Sequence, residues 1–187
     1  MEPLTEAAKR FFVLTGGPGS GKSTLIEALR RSGYVCLGEG GRGIIQDQVA
    51  IGGRALPWHD TALFTELMLS WDMRSYRIAE QSAGPVFFDR GVVDVAAYLR
   101  LIGLSPPMHV EGAVEAFRYN PRVLIAPPWR EIYAQDRERK QDFEEAVRTY
   151  EALVTTYTER GYELIQIPRA SVETRMQFVL DSIGIAR

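Results

Sequence analysis

The chain has 187 residues, of which 45% are hydrophobic and 25% are charged, with a formal net charge of −2 at pH 7. These values suit one soluble globular domain with a full hydrophobic core. Without a large excess of basic residues, we expect neither a nucleic-acid partner nor a membrane partner. Every apolar run is far shorter than the roughly 18 residues that a membrane-spanning helix needs.

The sequence contains one cysteine, Cys36. A single cysteine excludes a disulfide framework, and this favours a reducing, cytoplasmic compartment. Residues 1–9 are short and mixed in charge, so they do not have the pattern of a signal peptide.

The first elements along the chain are a strand and a helix joined by a glycine-rich segment. The apolar run at residues 10–15 predicts a buried strand. Residues 21–32 predict an amphipathic helix, and Gly33 is a typical end for it. Between the two lies Gly16-x-x-x-x-Gly21-Lys22-Ser23, the pattern of a phosphate-binding loop. A plain turn is the alternative, but the strand–loop–helix setting favours phosphate binding.

The residue types of this loop suit a polyphosphate. Glycines reach backbone conformations that are closed to other residues, so the loop can fold tightly around phosphate groups. The N–H groups of the loop and of the helix N-terminus then point towards negative charge. Lys22 supplies an ammonium group for the β- and γ-phosphates, and the Ser23 hydroxyl is placed to ligate Mg²⁺. We therefore predict that ATP is bound by Gly16, Gly17, Pro18, Gly19, Ser20, Gly21, Lys22, Ser23 and Thr24.

Further helices and strands alternate along the rest of the chain. The hydrophobic pattern predicts strands at residues 34–37, 86–88, 122–126 and 163–167. It predicts helices at residues 44–56, 57–81, 92–102 and 109–117, one that Asp142 caps and Gly161 ends, and a last one that Ser171 caps. The apolar face expected for the helix at 57–81 is Leu63, Phe64, Leu67, Met68, Trp71 and Ile78. This alternation predicts an α/β fold with a parallel sheet and helices on both faces.

Asp89 and Arg90 follow the strand at residues 86–88. Beside a phosphate-binding loop, a carboxylate at the end of such a strand is expected near Mg²⁺ or the substrate. Ligands of parallel sheets bind at the carboxyl ends of the strands, so Arg90 is expected to contact an anionic or hydroxylated substrate. The alternative for Arg90 is a solvated or salt-bridged arginine.

Glu39 and Arg42 follow the strand at residues 34–37 and should lie at the same edge of the sheet. The glycines around them would let a ligand approach, although they would equally suit a plain turn. A carboxylate at Glu39 is placed to accept a hydroxyl proton during phosphoryl transfer. Asp89 is the competing candidate for that role.

The segment at about residues 129–141 is highly charged, with Arg130, Glu131, Asp136, Arg137, Glu138, Arg139 and Lys140. It is either a solvated turn with internal ion pairs or a lid whose arginines close over the transferring phosphate. Trp58, Trp71, Tyr76 and Tyr98 are candidates for stacking on a base or ring, although aromatic residues at helical spacing are more often part of a core.

With these residues in place, the chain resembles the P-loop kinases, and especially the nucleoside and nucleotide kinases. It is similar to the AAA-type family that contains the nicotinamide-riboside kinase domain of the bacterial NAD regulator. The resemblance spans nearly the whole chain and rests on Gly16–Ser23, Glu39-x-x-Arg42, and Asp89-Arg90-Gly91 with Asp94 and Tyr98. It implies a single P-loop kinase-like domain over residues 1–187, with a three-layer P-loop NTPase fold and a five-stranded parallel sheet in the order 2-3-1-4-5.

The resemblance also implies ATP- and Mg²⁺-dependent transfer of a phosphoryl group to a small nucleoside-like or nucleotide-like acceptor. The acceptor would be bound by Glu39, Arg42 and Arg90, and Mg²⁺ by Ser23 and Asp89. The expected catalytic residues are Lys22, Glu39, Asp89, Arg90 and Arg137. The competing hypothesis is an ATP-binding module or slow NTPase that acts on a protein partner.

Overall fold

The computed structural model describes residues 5–133 and 142–185. Its sheet consists of β1 (Phe11–Gly16), β2 (Val35–Leu37), β3 (Val86–Asp89), β4 (Arg122–Ala126) and β5 (Glu163–Gln166). Neighbouring strands pair in parallel, in the order β2-β3-β1-β4-β5. The predicted five-stranded parallel sheet with order 2-3-1-4-5 is confirmed.

The helices of the described residues are α1 (Lys22–Arg31), α2 (Gly40–Ile51), α3 (Thr61–Ala79), α4 (Val92–Leu101), α5 (Met108–Ala116), α6 (Phe143–Glu159) and α7 (Val172–Ser182). The carboxylate of Asp142 accepts a hydrogen bond from the backbone N–H of Glu145 at 2.7 Å, so it caps α6 as predicted. Over residues 5–133 and 142–185, none of the helices is both long enough and apolar enough to cross a bilayer.

The helices cover both faces of the sheet, which gives the fold three layers. Because side chains alternate along a strand, Phe11 and Val13 of β1 face one way and Phe12 and Leu14 face the other. The first pair packs in a core with residues of α3, α4, α5 and α6, and the second pair packs with α1 and α7. All six residues of β1 are buried, as expected for the central strand of a covered parallel sheet.

The helix predicted at residues 44–56 lies instead at Gly40–Ile51, so its predicted boundaries are wrong. It begins four residues earlier, at Gly40, which packs closely against Trp71 of α3: an added Cβ there would lie 2.6 Å from the ring. It ends at Gly52, which has a φ of 66°, in the left-handed region that favours glycine.

The predicted apolar face of α3 is also partly wrong. Leu63, Trp71 and Ile78 are 38%, 36% and 43% exposed. The residues that α3 buries are Phe64, Thr65, Leu69, Asp72, Tyr76 and Ala79. Two of these residues, Thr65 and Asp72, are polar. A prediction based on hydrophobic residues alone therefore placed the buried face of α3 on the wrong side of the helix.

Candidate active site

The loop between β1 and α1 is a tight turn at the carboxyl edge of the sheet. Gly21 has a φ of 77° and comes directly before α1, so this position favours glycine. At Gly17, an added Cβ would lie 2.5 Å from the carbonyl oxygen of Ala146 in α6. The loop is therefore closely packed against α6, and a larger residue at position 17 would displace it.

Lys22 is the first residue of α1, and its side chain is only 5% exposed. Its Nζ donates hydrogen bonds to the carbonyl oxygens of Gly16 at 2.8 Å and Gly17 at 3.0 Å. The ammonium group therefore lies against the backbone of the loop. Ser23 and Thr24, the next two residues of α1, are exposed.

Asp89 ends β3 beside this loop. It pairs with Leu14 of β1 in the sheet, and the Leu14 carbonyl accepts a hydrogen bond from the N–H of Arg90 at 3.0 Å. The Asp89 carboxylate is buried, and its Oδ1 has no hydrogen-bond partner within the described residues. Burial raises the pKa of Asp89, and the positive charge of Lys22 opposes this rise.

Arg90 lies between two carboxylates. Its Nε is 3.3 Å from Oε1 of Glu39, and its Nη1 is 3.2 Å from Oδ1 of Asp94. Burial acts to lower the pKa of Arg90, but Glu39, Asp94 and Asp89 outweigh it and raise that pKa. Arg90 also has a φ of 72°, a conformation rare for a residue with a side chain and one often found at functional sites.

Asp94 connects this arginine to three other parts of the fold. Its Oδ1 accepts a hydrogen bond from the hydroxyl of Thr15 in β1 at 2.5 Å. Its Oδ2 accepts hydrogen bonds from the hydroxyl of Tyr157 in α6 at 2.5 Å and from the N–H of Gly91 at 3.1 Å. Asp94 therefore fixes the orientation of Arg90 relative to α6 and to β1, the strand that leads into the phosphate-binding loop.

A cavity of about 1040 Å³ begins at Pro18 of the loop and extends between α2, α3, α4 and α6. Its polar lining includes Glu39, Arg42, Asp72, Arg90 and Asp94. Its apolar lining includes Phe64, Met68, Val95, Tyr98 and Leu101. The three residues predicted to bind the acceptor thus lie in the wall of one cavity: Glu39, Arg42 and Arg90. Asp89 lies beside the loop instead.

Asp72 also lines this cavity, and the sequence reasoning missed it. It is 8% exposed, and its carboxylate makes no hydrogen bond with the part of the chain that the structure describes. Burial raises its pKa well above the usual value, and the charges of Asp94 and Glu39 add to this rise. Its spacing from Leu69 and Tyr76, which lie three and four residues away on the buried face of α3, could have indicated that Asp72 is buried.

Only the first part of the predicted lid, residues 129–133, can be described. Arg137, Arg139 and Lys140 lie outside the described residues. The Arg130 guanidinium lies 4.2 Å from the centroid of the Phe143 ring, and the Tyr133 ring packs edge-on against the same ring. The start of this segment is thus attached to the first residue of α6.

The four aromatic residues considered for stacking separate into two groups. Tyr76 belongs to the core, and Trp71 packs against Gly40 and donates a hydrogen bond to the Gly38 carbonyl at 3.2 Å. Trp58 and Tyr98 line the cavity. Only this second pair is in a position to contact a ligand there.

A family model, described as an AAA domain, matches residues 11–175 of the sequence. The chain belongs to the AAA domain family. No match was found among curated proteins.

Solved structures of P-loop kinases have the same fold as this AAA domain. The deoxyadenosine kinase of M. mycoides with bound dATP superimposes with a TM-score of 0.57 and 13% identity, covering 93% of this chain and 99% of the kinase. The thymidylate kinase of Ehrlichia chaffeensis gives a TM-score of 0.64 and 13% identity, covering 95% of this chain and 99% of that kinase. The AAA domain is therefore a P-loop domain with the fold of nucleoside and nucleotide kinases.

Replacing Asp94 with Ala should destabilise the protein by about 3–5 kcal/mol, because it leaves buried hydroxyls and Arg90 without their acceptor. Urea unfolding of the variant and of the wild type measures this difference. The control is Asp181→Asn, which alters a carboxylate on the exposed surface of α7. A loss below about 1 kcal/mol for Asp94→Ala would show that the hydrogen-bond network contributes little.

Replacing Asp72 with Asn should stabilise the protein at neutral and alkaline pH, by about 1–3 kcal/mol at pH 8. Burial raises the folded-state pKa of Asp72 well above that of an exposed aspartate. The stability of the wild type therefore falls as pH rises through the folded-state pKa, whereas Asn stays neutral throughout. Thermal unfolding of both proteins between pH 4 and 8 tests this expectation, which fails if the wild type is the more stable protein at pH 8.

Proposed function

We propose that this AAA domain is an ATP- and Mg²⁺-dependent phosphotransferase that acts on a small acceptor, nucleoside-like or nucleotide-like. The observation that carries the proposal is the position of the cavity. It begins at Pro18 of the phosphate-binding loop, and its wall holds the ion pair between Glu39 and Arg90. A donor bound at the loop and an acceptor bound in the cavity would meet at this point, as phosphoryl transfer requires.

The nucleotide would be bound by the loop residues Gly16–Gly21 together with Lys22, Ser23 and Thr24. The loop amides and the Lys22 ammonium would stabilise the negative charge of the phosphates. Catalysis in this chemistry rests on positioning and electrostatics, which these groups would supply around the phosphates.

The residues present also fit Mg²⁺. Among the described residues, no group of three His, Cys, Asp or Glu side chains could hold a metal ion by itself. Mg²⁺ does not need one, since it commonly takes one or two protein oxygens together with phosphate oxygens and water. The unpartnered Oδ1 of Asp89 and the exposed hydroxyl of Ser23 suit that role. When bound, the ion would neutralise charge on the phosphates.

Glu39 is the better candidate for the base. It lies in the cavity wall, where an acceptor hydroxyl would be, and its ion pair with Arg90 holds it in place. Asp89 lies on the phosphate side, near Lys22. We therefore assign acceptance of the hydroxyl proton to Glu39 and binding of Mg²⁺ to Asp89. Arg90 and Arg42 would bind the acceptor, and Arg137 stays a predicted lid residue.

The size of the cavity and the ligands of similar kinases support the choice of acceptor. A volume of about 1040 Å³ is large enough for a nucleoside or nucleotide. The M. mycoides deoxyadenosine kinase has also been solved with the products dCMP and dCDP, in a structure with a TM-score of 0.58 and 10% identity that covers 93% of this chain and 98% of the kinase. Tyr98 and Trp58 give the cavity aromatic surface for a planar ring.

The test is a screen for ADP release from MgATP in the presence of nucleosides, deoxynucleosides and their monophosphates. We expect release that depends on one class of acceptor. Lys22→Ala should lower this turnover by about 100-fold or more, because the transition-state charge loses its ammonium partner. Lys9→Ala, which changes an exposed lysine paired with Glu6, is the matched control and should retain full turnover.

Two results would contradict the proposal. The first is steady ATP hydrolysis that no acceptor accelerates, which is the behaviour of an ATP-binding module or slow NTPase. The second is full turnover by Lys22→Ala with an unchanged melting temperature, which would remove the loop lysine from the mechanism.

A further inference from the structure

Arg175 of α7 lies directly behind the phosphate-binding loop. It is a charged residue, yet it is only 3% exposed. Its Nη1 donates a hydrogen bond to the carbonyl oxygen of Gly21 at 3.2 Å, and its Nη2 donates one to the carbonyl oxygen of Ser20 at 3.3 Å. These are the last two residues of the loop before Lys22, so one guanidinium contacts two successive peptide groups of the loop.

The positive charge of Arg175 has no acidic partner within residues 5–133 and 142–185. Its Nε is buried without a hydrogen-bond partner there. Burial alone lowers the pKa of Arg175, with no carboxylate opposing the effect. The Trp129 ring, whose centroid is 5.7 Å away, offers a weak cation–π contact. Among the described residues, only carbonyl dipoles and a ring compensate this buried cation, and such burial is unfavourable for folding.

The geometry of the peptide bond connects these contacts to the loop amides. In a trans peptide, the carbonyl of one residue and the N–H of the next point in opposite directions. Arg175 holds the carbonyl of Ser20 towards α7 and shares the carbonyl of Gly21 with the N–H of Leu25, which donates to it at 3.3 Å. These contacts turn the N–H groups of Gly21 and Lys22 away from α7. Those N–H groups belong to the part of the loop and helix that would face a phosphate.

We propose that Arg175 is a positioning residue for nucleotide phosphates, which orients the amides of Gly21 and Lys22 and whose charge is balanced when a polyphosphate occupies the loop. This inference rests on the proposed nucleotide site. It requires arginine rather than lysine, because the planar guanidinium holds the two carbonyls in a fixed relative orientation, whereas the donors of a lysine ammonium rotate freely. The space is also closely fitted, since a Cβ on Gly21 would lie 2.7 Å from Nη1 of Arg175.

The experiment compares Arg175→Met, Arg175→Lys and the wild type by two measurements. Calorimetric titration gives the dissociation constant for MgADP, and urea unfolding without nucleotide gives the stability. We expect Arg175→Met to bind MgADP about tenfold more weakly, because the amides lose their orientation and the site loses a positive charge. We also expect its stability without nucleotide to equal or exceed that of the wild type, because a desolvated charge has been removed.

Arg175→Lys keeps the charge but not the fork, so we expect its affinity to fall between those of the wild type and Arg175→Met. Arg31→Met is the control. It removes the same charge from an exposed position on α1, where the arginine pairs with Glu27, and should leave MgADP affinity unchanged.

MgADP affinity within twofold of the wild type in Arg175→Met would overturn the inference. If that variant fails to fold or loses stability in step with affinity, Arg175 is a structural residue and the inference is also wrong. Wild-type affinity in Arg175→Lys would overturn the requirement for a fork. A wild type that binds no MgADP would instead refute the proposed function, and the inference with it.

Discussion

A single buried carboxylate, Asp94, joins the parts of the site. It accepts hydrogen bonds from Thr15 of β1, from Tyr157 of α6 and from Arg90. Thr15 lies next to the first glycine of the phosphate-binding loop, and Arg90 lies in the wall of the cavity. Because these groups share one acceptor, the orientation of the arginine is tied to the position of the loop. Precise relative placement of donor and acceptor is what phosphoryl transfer demands.

The charges around the loop are arranged on two sides. On the cavity side, Arg90 is held by the carboxylates of Glu39 and Asp94, so its position is fixed by ion pairs. On the opposite side, the polar partners of the Arg175 guanidinium among the described residues are two carbonyls and a ring. The cation behind the loop is therefore the one whose charge a bound polyphosphate would balance, whereas the cation in the cavity is already balanced.

Much of the fold and part of the site could be predicted from the sequence because they depend on local patterns. The loop motif fixed the strand and helix around it, and apolar runs located every strand of the sheet. The sequence did not identify Asp72 and Arg175 as site residues, because both are polar residues on buried helix faces. Helical spacing could have shown that Asp72 is buried. It could not have shown that Asp72 faces a cavity or that Arg175 contacts the backbone of the loop, because these neighbours are distant in sequence. The start of α2 was not predicted correctly because glycine is a poor helix former, and because the contact of Gly40 with Trp71 is a tertiary one.

We infer that the backbone N–H groups of residue 17 and residues 19–24 bind the phosphates of a nucleotide. Amide hydrogen exchange of the wild-type protein, measured with and without MgATP, tests it most directly. We expect slower exchange concentrated in the peptides that cover residues 17–24, because bound phosphate oxygens would engage those N–H groups. Unchanged exchange in these peptides at saturating MgATP would show that the loop does not bind nucleotide phosphates.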